Sequence, residues 1–181
     1  MQIVKRRDNK NLKKVLIVGD SKTGKSTFCE SYCKENKLNA IVLDLENTNY
    51  TDMDLIVSFD LSNDMKAYRT VKKIIKQVEM SDYDTIVIDG IDSLIESFIS
   101  DEKGLKAYSD RSKTFNKLIR NLDKSGLNVV FIGQSPCDLT WYKNENPNKC
   151  IIRLNARVNE VYKCSSDGKS FNVETVSKRG V

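Results

Sequence analysis

Apolar positions along the chain fall into two patterns, short unbroken runs and longer stretches with a helical repeat. Val15-Leu16-Ile17-Val18 is a four-residue run that stops at Gly19, as a strand buried on both faces does. Ala40–Leu45, Thr85–Asp89 and Asn128–Gly133 are further runs of this kind, and Leu55–Phe59 forms a third strand in chain order. Between them, Lys25 to about Asn36 reads as a helix. Ser62 is placed to cap another, in which Met65, Tyr68, Val71, Ile74, Ile75 and Val78 recur with the 3.6-residue period as far as Met80. A helix from about Lys106 to Lys124 is stopped by Gly126. After a polar stretch from Ser135 to Lys149, alternating segments at Arg157–Cys164 and Ser170–Val176 flank Asp167-Gly168, a hairpin turn signal. Alternation of strand and helix over the first two thirds requires parallel strands with right-handed crossovers, and the hairpin is expected to add antiparallel strands at one edge.

Composition narrows the chemistry. The 181 residues suit one α/β domain preceded by a basic segment over residues 1–12. The chain has five cysteines without a C-x-x-C pair and no histidine, which argues against zinc sites, disulfide frameworks and His-dependent nucleophiles. Cys29 and Cys33 share one helix face, where small buried thiols are expected. Catalysis must then use carboxylates, Lys, Arg and a bound metal. A formal charge of +5 favours a polyanionic partner. The Lys66, Arg69, Lys72, Lys73 and Lys76 stripe on the second helix is what a solvated face ordinarily carries. No apolar run reaches membrane-spanning length and the N-terminus lacks a secretory core, so a cytoplasmic protein is expected.

Gly19-Asp20-Ser21-Lys22-Thr23-Gly24-Lys25-Ser26, followed by Thr27, has the spacing of a phosphate-binding P-loop. Its glycines let successive backbone N–H groups turn inward toward phosphate at a helix N-terminus. Lys25 then reaches the β- and γ-phosphates of a bound nucleoside triphosphate, and Ser26 offers a hydroxyl to Mg²⁺. The companion carboxylate for the metal is Asp89, at the end of a buried strand. Hydrolysis also needs a group that positions water, and two acids at the end of the second strand compete for it, Asp44 and Glu46.

The ordered set of these segments resembles the RecA-like recombinase ATPases from about Val15 to Gly180. That resemblance implies a RecA-like P-loop core, a mostly parallel central sheet flanked by helices with a C-terminal antiparallel hairpin. Val42-Leu43-Asp44-Leu45-Glu46 is similar to the strand ending in the family's catalytic glutamate, which favours Glu46. Val129-Val130-Phe131-Ile132-Gly133-Gln134 is similar to the strand ending in its γ-phosphate sensor, which implies that role for Gln134. The loop beyond it, with Trp141, Tyr142, Lys143, Lys149 and Arg153, is implied to contact single-stranded DNA, where aromatics stack on bases and cations meet phosphates. Lys178 and Arg179 resemble the basic residues that reach the γ-phosphate of a neighbouring subunit, implying a homo-oligomeric ring or filament.

A bare core is expected, without the N-terminal domain or polymerisation linker and the separate C-terminal DNA-gating domain of full-size recombinases, and in this it resembles short phage-encoded RecA-like ATPases of single-strand annealing and recombination. A DNA-stimulated ATPase of recombination, repair or replication follows, with a single-strand-binding or replication protein as a further partner. The competing readings are an AAA-type helicase loader acting on a protein and a small-molecule kinase. The kinase fits poorly, since Leu94–Arg111 holds only one Arg where an Arg-rich lid is usual.

Overall fold

In the computed structural model, residues 12–56, 61, 64–98, 105–134, 154 and 156–178 are described. Seven strands form one sheet: β1 (Lys14–Val18), β2 (Ala40–Asp44), β3 (Asp54–Ile56), β4 (Thr85–Asp89), β5 (Asn128–Gly133), β6 (Glu160–Ser166) and β7 (Phe171–Lys178). The helices are α1 (Lys25–Glu35), α2 (Asp64–Glu79), α3 (Ile91–Glu96) and α4 (Leu105–Ser125). The strand order is β3-β2-β4-β5-β1-β6-β7, so the β5 strand lies between the one that enters the P-loop and the one that ends in Asp89.

The apolar runs are unbroken because both faces of each strand are covered, and the two-residue period sorts them. Leu16 and Val18 of β1, Ile86 and Ile88 of β4, and Val129 and Phe131 of β5 join a core with α2, α3 and α4. The intervening Val15, Ile17, Val87, Val130 and Ile132 pack toward α1. On α2 the residues at Val71, Ile74, Ile75 and Val78 are buried as the helical period requires, while Lys66, Arg69, Lys72, Lys73 and Lys76 are exposed. Gly126 ends α4 at φ 73, a left-handed position that glycine takes without penalty.

The expected C-terminal antiparallel hairpin is formed by β6 and β7 at one edge of the sheet; β6 itself runs parallel to β1, and β7 is antiparallel to β6. The connection from Gly133 to Glu160 is long enough to recross the sheet, and a crossover of that length delivers a parallel strand. A helix unforeseen from sequence, α3, follows Asp89 at once; its Ile91, Leu94 and Ile95 are buried at i, i+3 and i+4, in a segment of only six residues. The third strand is short, Asp54–Ile56, and residues 57–60 of its expected extent lie outside the described residues, as does the proposed cap Ser62.

The helix that follows the P-loop has a modest apolar face, Cys29, Tyr32 and Cys33, and is held by polar contacts as well. Glu160 on β6 is buried, accepting hydrogen bonds from Tyr32 Oη at 3.0 Å and Tyr162 Oη at 2.5 Å, with Lys13 Nζ at 3.5 Å. The rings of Tyr32, Tyr162 and Phe28 meet edge-on or tilted. Burial alone would raise the Glu160 carboxyl, but the two tyrosine hydroxyls, Lys13 and Lys178 outweigh it and hold the group below the ordinary glutamate value. A depressed carboxyl stabilises the fold above its unfolded pKa of about 4.3, and that contribution disappears as pH falls through the lower folded value. Glu160→Gln is therefore expected to cost roughly 1–2 kcal/mol at neutral pH and to flatten the acid limb of stability. Thermal melts of both proteins between pH 7 and pH 3 check this; parallel curves would refute it.

Candidate functional site

The parallel register brings four strand ends to one edge of the sheet. Val18 pairs with Gly133, Asp89 with Ile132, and Asp44 with Asp89, so whatever follows β1, β2, β4 and β5 shares a single crevice. A cleft of about 400 Å³ opens there. The P-loop from Ser21 to Thr27 lines one side, with Glu46, Asp89 and Gln134 around the rest. The sequence-predicted P-loop, metal, water-positioning and sensor residues are thus brought together.

Local geometry explains the glycines. A Cβ on Gly19 would lie 2.2 Å from the Cys164 carbonyl oxygen of β6, so no side chain fits between the loop and the sheet. Gly24, at φ 79, starts α1, and a Cβ there would press on the Phe171 ring at 3.2 Å. Within the loop, Thr23 Oγ1 donates to the Asp20 carbonyl at 2.8 Å and Lys25 Nζ donates to the same oxygen at 2.7 Å.

Asp89 is buried and receives Tyr50 Oη at 2.7 Å and Ser26 Oγ at 3.4 Å on the same oxygen, Oδ2. Burial holds its carboxyl above the ordinary aspartate range; hydrogen bonds from Tyr50, Thr48 and Ser26 oppose the shift, and the Asp44 charge adds to it. Tyr50 is raised in turn, by burial and then by the Asp89 charge. A hydroxyl and a carboxylate side by side, both hard oxygen donors, fit Mg²⁺, which commonly takes one or two protein carboxylates and completes its shell with substrate phosphates and water.

Asp44 and Glu46 have different surroundings. Asp44 is buried, and its two oxygens accept the backbone N–H groups of Glu46 at 3.1 Å and Thr48 at 2.9 Å, so this carboxylate organises the turn after β2. Glu46 is exposed in the cleft, accepting Ser93 Oγ at 2.5 Å. Gly90, at φ 91, leaves room for it, since a Cβ there would stand 2.7 Å from Glu46 Oε1. Gln134 is held by its backbone, whose N–H donates to Asp92 Oδ2 at 2.7 Å.

Trp141, Tyr142, Lys143, Lys149, Arg153 and Arg179 lie outside the described residues. Lys178 ends β7, is exposed, stands opposite Glu160 in the ladder and does not line the cleft. Sequence reasoning missed Tyr50, Asp92, Ser93 and Phe171. The helical spacing of Ile91, Leu94 and Ile95 directly after Asp89 was the available signal for Asp92 and Ser93. Tyr50 sits in a polar turn and Phe171 at a strand start, where periodicity says nothing of a site.

A family model described as an AAA domain matches residues 11–163. No curated protein matches the chain. Among solved structures, the flagellar accessory protein FlaH from Methanocaldococcus jannaschii is similar in fold, with a TM-score of 0.54 and 14% identity over 92% of this chain and 79% of that one. The expected RecA-like P-loop architecture is accordingly the fold of this chain. No helix among the described residues is long and apolar enough to cross a membrane.

Asp44→Ala is expected to lower stability by about 1–2 kcal/mol, because two partly buried backbone N–H groups lose their charged acceptor. Glu46→Gln should stay within about 0.5 kcal/mol of the parent, as an exposed side chain does. Denaturant melts of the two variants measure the contrast, and equal losses would refute the division of roles.

Proposed function

The chain belongs to the AAA domain family and is a P-loop ATPase; from that premise we propose that it hydrolyses ATP with Mg²⁺, with Glu46 positioning the attacking water, and that turnover governs its grip on single-stranded DNA. The observation that carries the reading is the single cleft lined by the P-loop, Glu46, Asp89 and Gln134 together. The backbone N–H groups of Gly19–Ser26 bind the phosphates at the start of α1, with Thr27 flanking them. Lys25 exchanges its hold on the Asp20 carbonyl for the β- and γ-phosphate oxygens. Ser26 and Asp89 would hold Mg²⁺, which would supply charge neutralisation for the transferring phosphoryl group. Glu46 is preferred over Asp44 as the base because Asp44 spends both oxygens on its own turn.

Gln134 stands at the end of β5, next to residues 135–153, and it carries the state of the γ-phosphate to that segment. The segment holds Trp141, Tyr142, Lys143, Lys149 and Arg153, the aromatic and cationic mixture that single strands take up. Lys178 and Arg179 serve a neighbouring copy in a ring or filament. Recombination, repair or replication in a phage-like setting, alongside a single-strand-binding or replication protein, is the process we infer. The family match also suits an AAA-type helicase loader, which acts on a protein partner.

ATP turnover with and without single-stranded DNA tests the proposal. Lys25→Ala should lose nucleotide binding, while Glu46→Gln should retain it and slow turnover by roughly 10²-fold or more. Near-normal turnover in Glu46→Gln would remove that residue from the role. Trp141→Ala with Lys143→Ala should abolish DNA stimulation at unchanged basal rate. If wild-type turnover ignores DNA and the protein instead retrieves a replicative helicase, the loader reading replaces this one.

A further inference from the structure

The chain's positive charge is concentrated in two helices that pack side by side. Helices α2 and α4 hold eleven Lys and Arg against Asp64, Glu79, Asp110 and Asp123; eleven against four gives +7, so the remaining residues carry −2 of the total of +5. Both helices cover the same sheet face, through Val71, Ile74 and Ile75 on one and Phe115, Leu118 and Leu122 on the other. Asn121 Nδ2 of α4 donates to Tyr68 Oη of α2 at 3.0 Å, fixing them as neighbours.

Opposite the buried side, Lys106, Lys113, Lys117, Arg120 and Lys124 of α4 are exposed. At 100° per residue they fall within an arc of about 60° and extend over about 27 Å of helix. Lys66, Arg69, Lys73 and Lys76 make the corresponding row on α2, with Lys72 on the side of the helix that carries Tyr68. A single basic helix face is ordinary, whereas two on neighbouring helices of one sheet face form a patch of charge broad enough to meet more than one row of phosphates. Among the acids, Asp110 pairs with Lys113, and Asp123 is taken up by Lys14 and Arg157. Among the described residues, Lys72, Lys73, Lys76, Lys117, Arg120 and Lys124 make no ion pair.

We propose that this α2–α4 face binds double-stranded nucleic acid through its phosphates, independently of sequence. A duplex backbone is the occupant that the composition favours. Of the exposed large apolar residues among the described ones, Leu55, Phe171, Val173 and Val176 lie away from both helices, and Met80 stands alone directly after the last residue of α2. Among the described residues, the basic rows themselves show neither the apolar anchors of an interfacial membrane helix nor the aromatic platforms on which single strands stack. Clustered Lys and Arg with neither are what phosphate-only recognition uses. None of these cations lines the ATP cleft, so this surface stands or falls apart from the proposed ATPase reading.

The test is fluorescence anisotropy of two labelled 25-base-pair DNA duplexes of unrelated sequence, with the full chain, between 50 and 200 mM salt. Equal affinity for both is expected, with a log–log salt slope of about −4 to −5, corresponding to about five neutralised phosphates. Lys73→Glu with Lys76→Glu, and separately Lys117→Glu with Lys124→Glu, should each weaken binding at least tenfold. The fourfold variant should abolish it, with melting temperature and ATP turnover at parental values. A duplex RNA of the same length should bind through the same residues. Undiminished duplex binding by the fourfold variant overturns the proposal. So does failure of the parent to bind duplex at 50 mM salt, or capture of phosphatidylserine vesicles in place of duplex.

Discussion

Every property of the ATP site depends on one constraint, the in-register parallel pairing of β2, β4, β5 and β1. Parallel strands point their carboxyl ends the same way, and pairing Asp44 with Asp89, Asp89 with Ile132 and Val18 with Gly133 levels those ends. The turns that leave them must then converge. A slip of one residue in any pair would send its inward side chains to the opposite face and its functional residue out of the crevice. Apolar packing on both sides of the sheet enforces the register, so the core is what positions the chemistry.

With the ends level, environment divides the labour among the carboxylates. Asp44 is buried and is consumed by two backbone N–H groups. Asp89 is buried beside Tyr50 and Ser26, where desolvation makes its charge costly until a cation arrives. Glu46, two residues beyond Asp44, is the one open to the cleft. Three acids within a few residues of strand ends thus occupy three electrostatic situations.

Much of this was legible in the chain. Unbroken apolar runs at β1, β4 and β5 gave the buried strands nearly to the residue, and the P-loop spacing located the start of α1. The parts that escaped have physical reasons. The direction of β6 depends on how far a long connection travels, which local sequence does not encode. Short α3 offers too few turns for its period to stand out. Tyr50 reaches Asp89 from a turn with no repeat at all, and the basic stripe on α2 looked ordinary until folding laid α4 against it.

The C-terminal hairpin touches the phosphate loop with no slack. The Cys164 carbonyl backs onto Gly19, the Phe171 ring lies over Gly24, and Glu160 grips α1 through Tyr32. Loop and hairpin therefore meet across a contact that admits no inserted side chain, although they lie far apart in the sequence. The outer strand of that hairpin, β7, is exposed along nearly all of its length, so the phosphate cradle is backed by the open edge of the sheet.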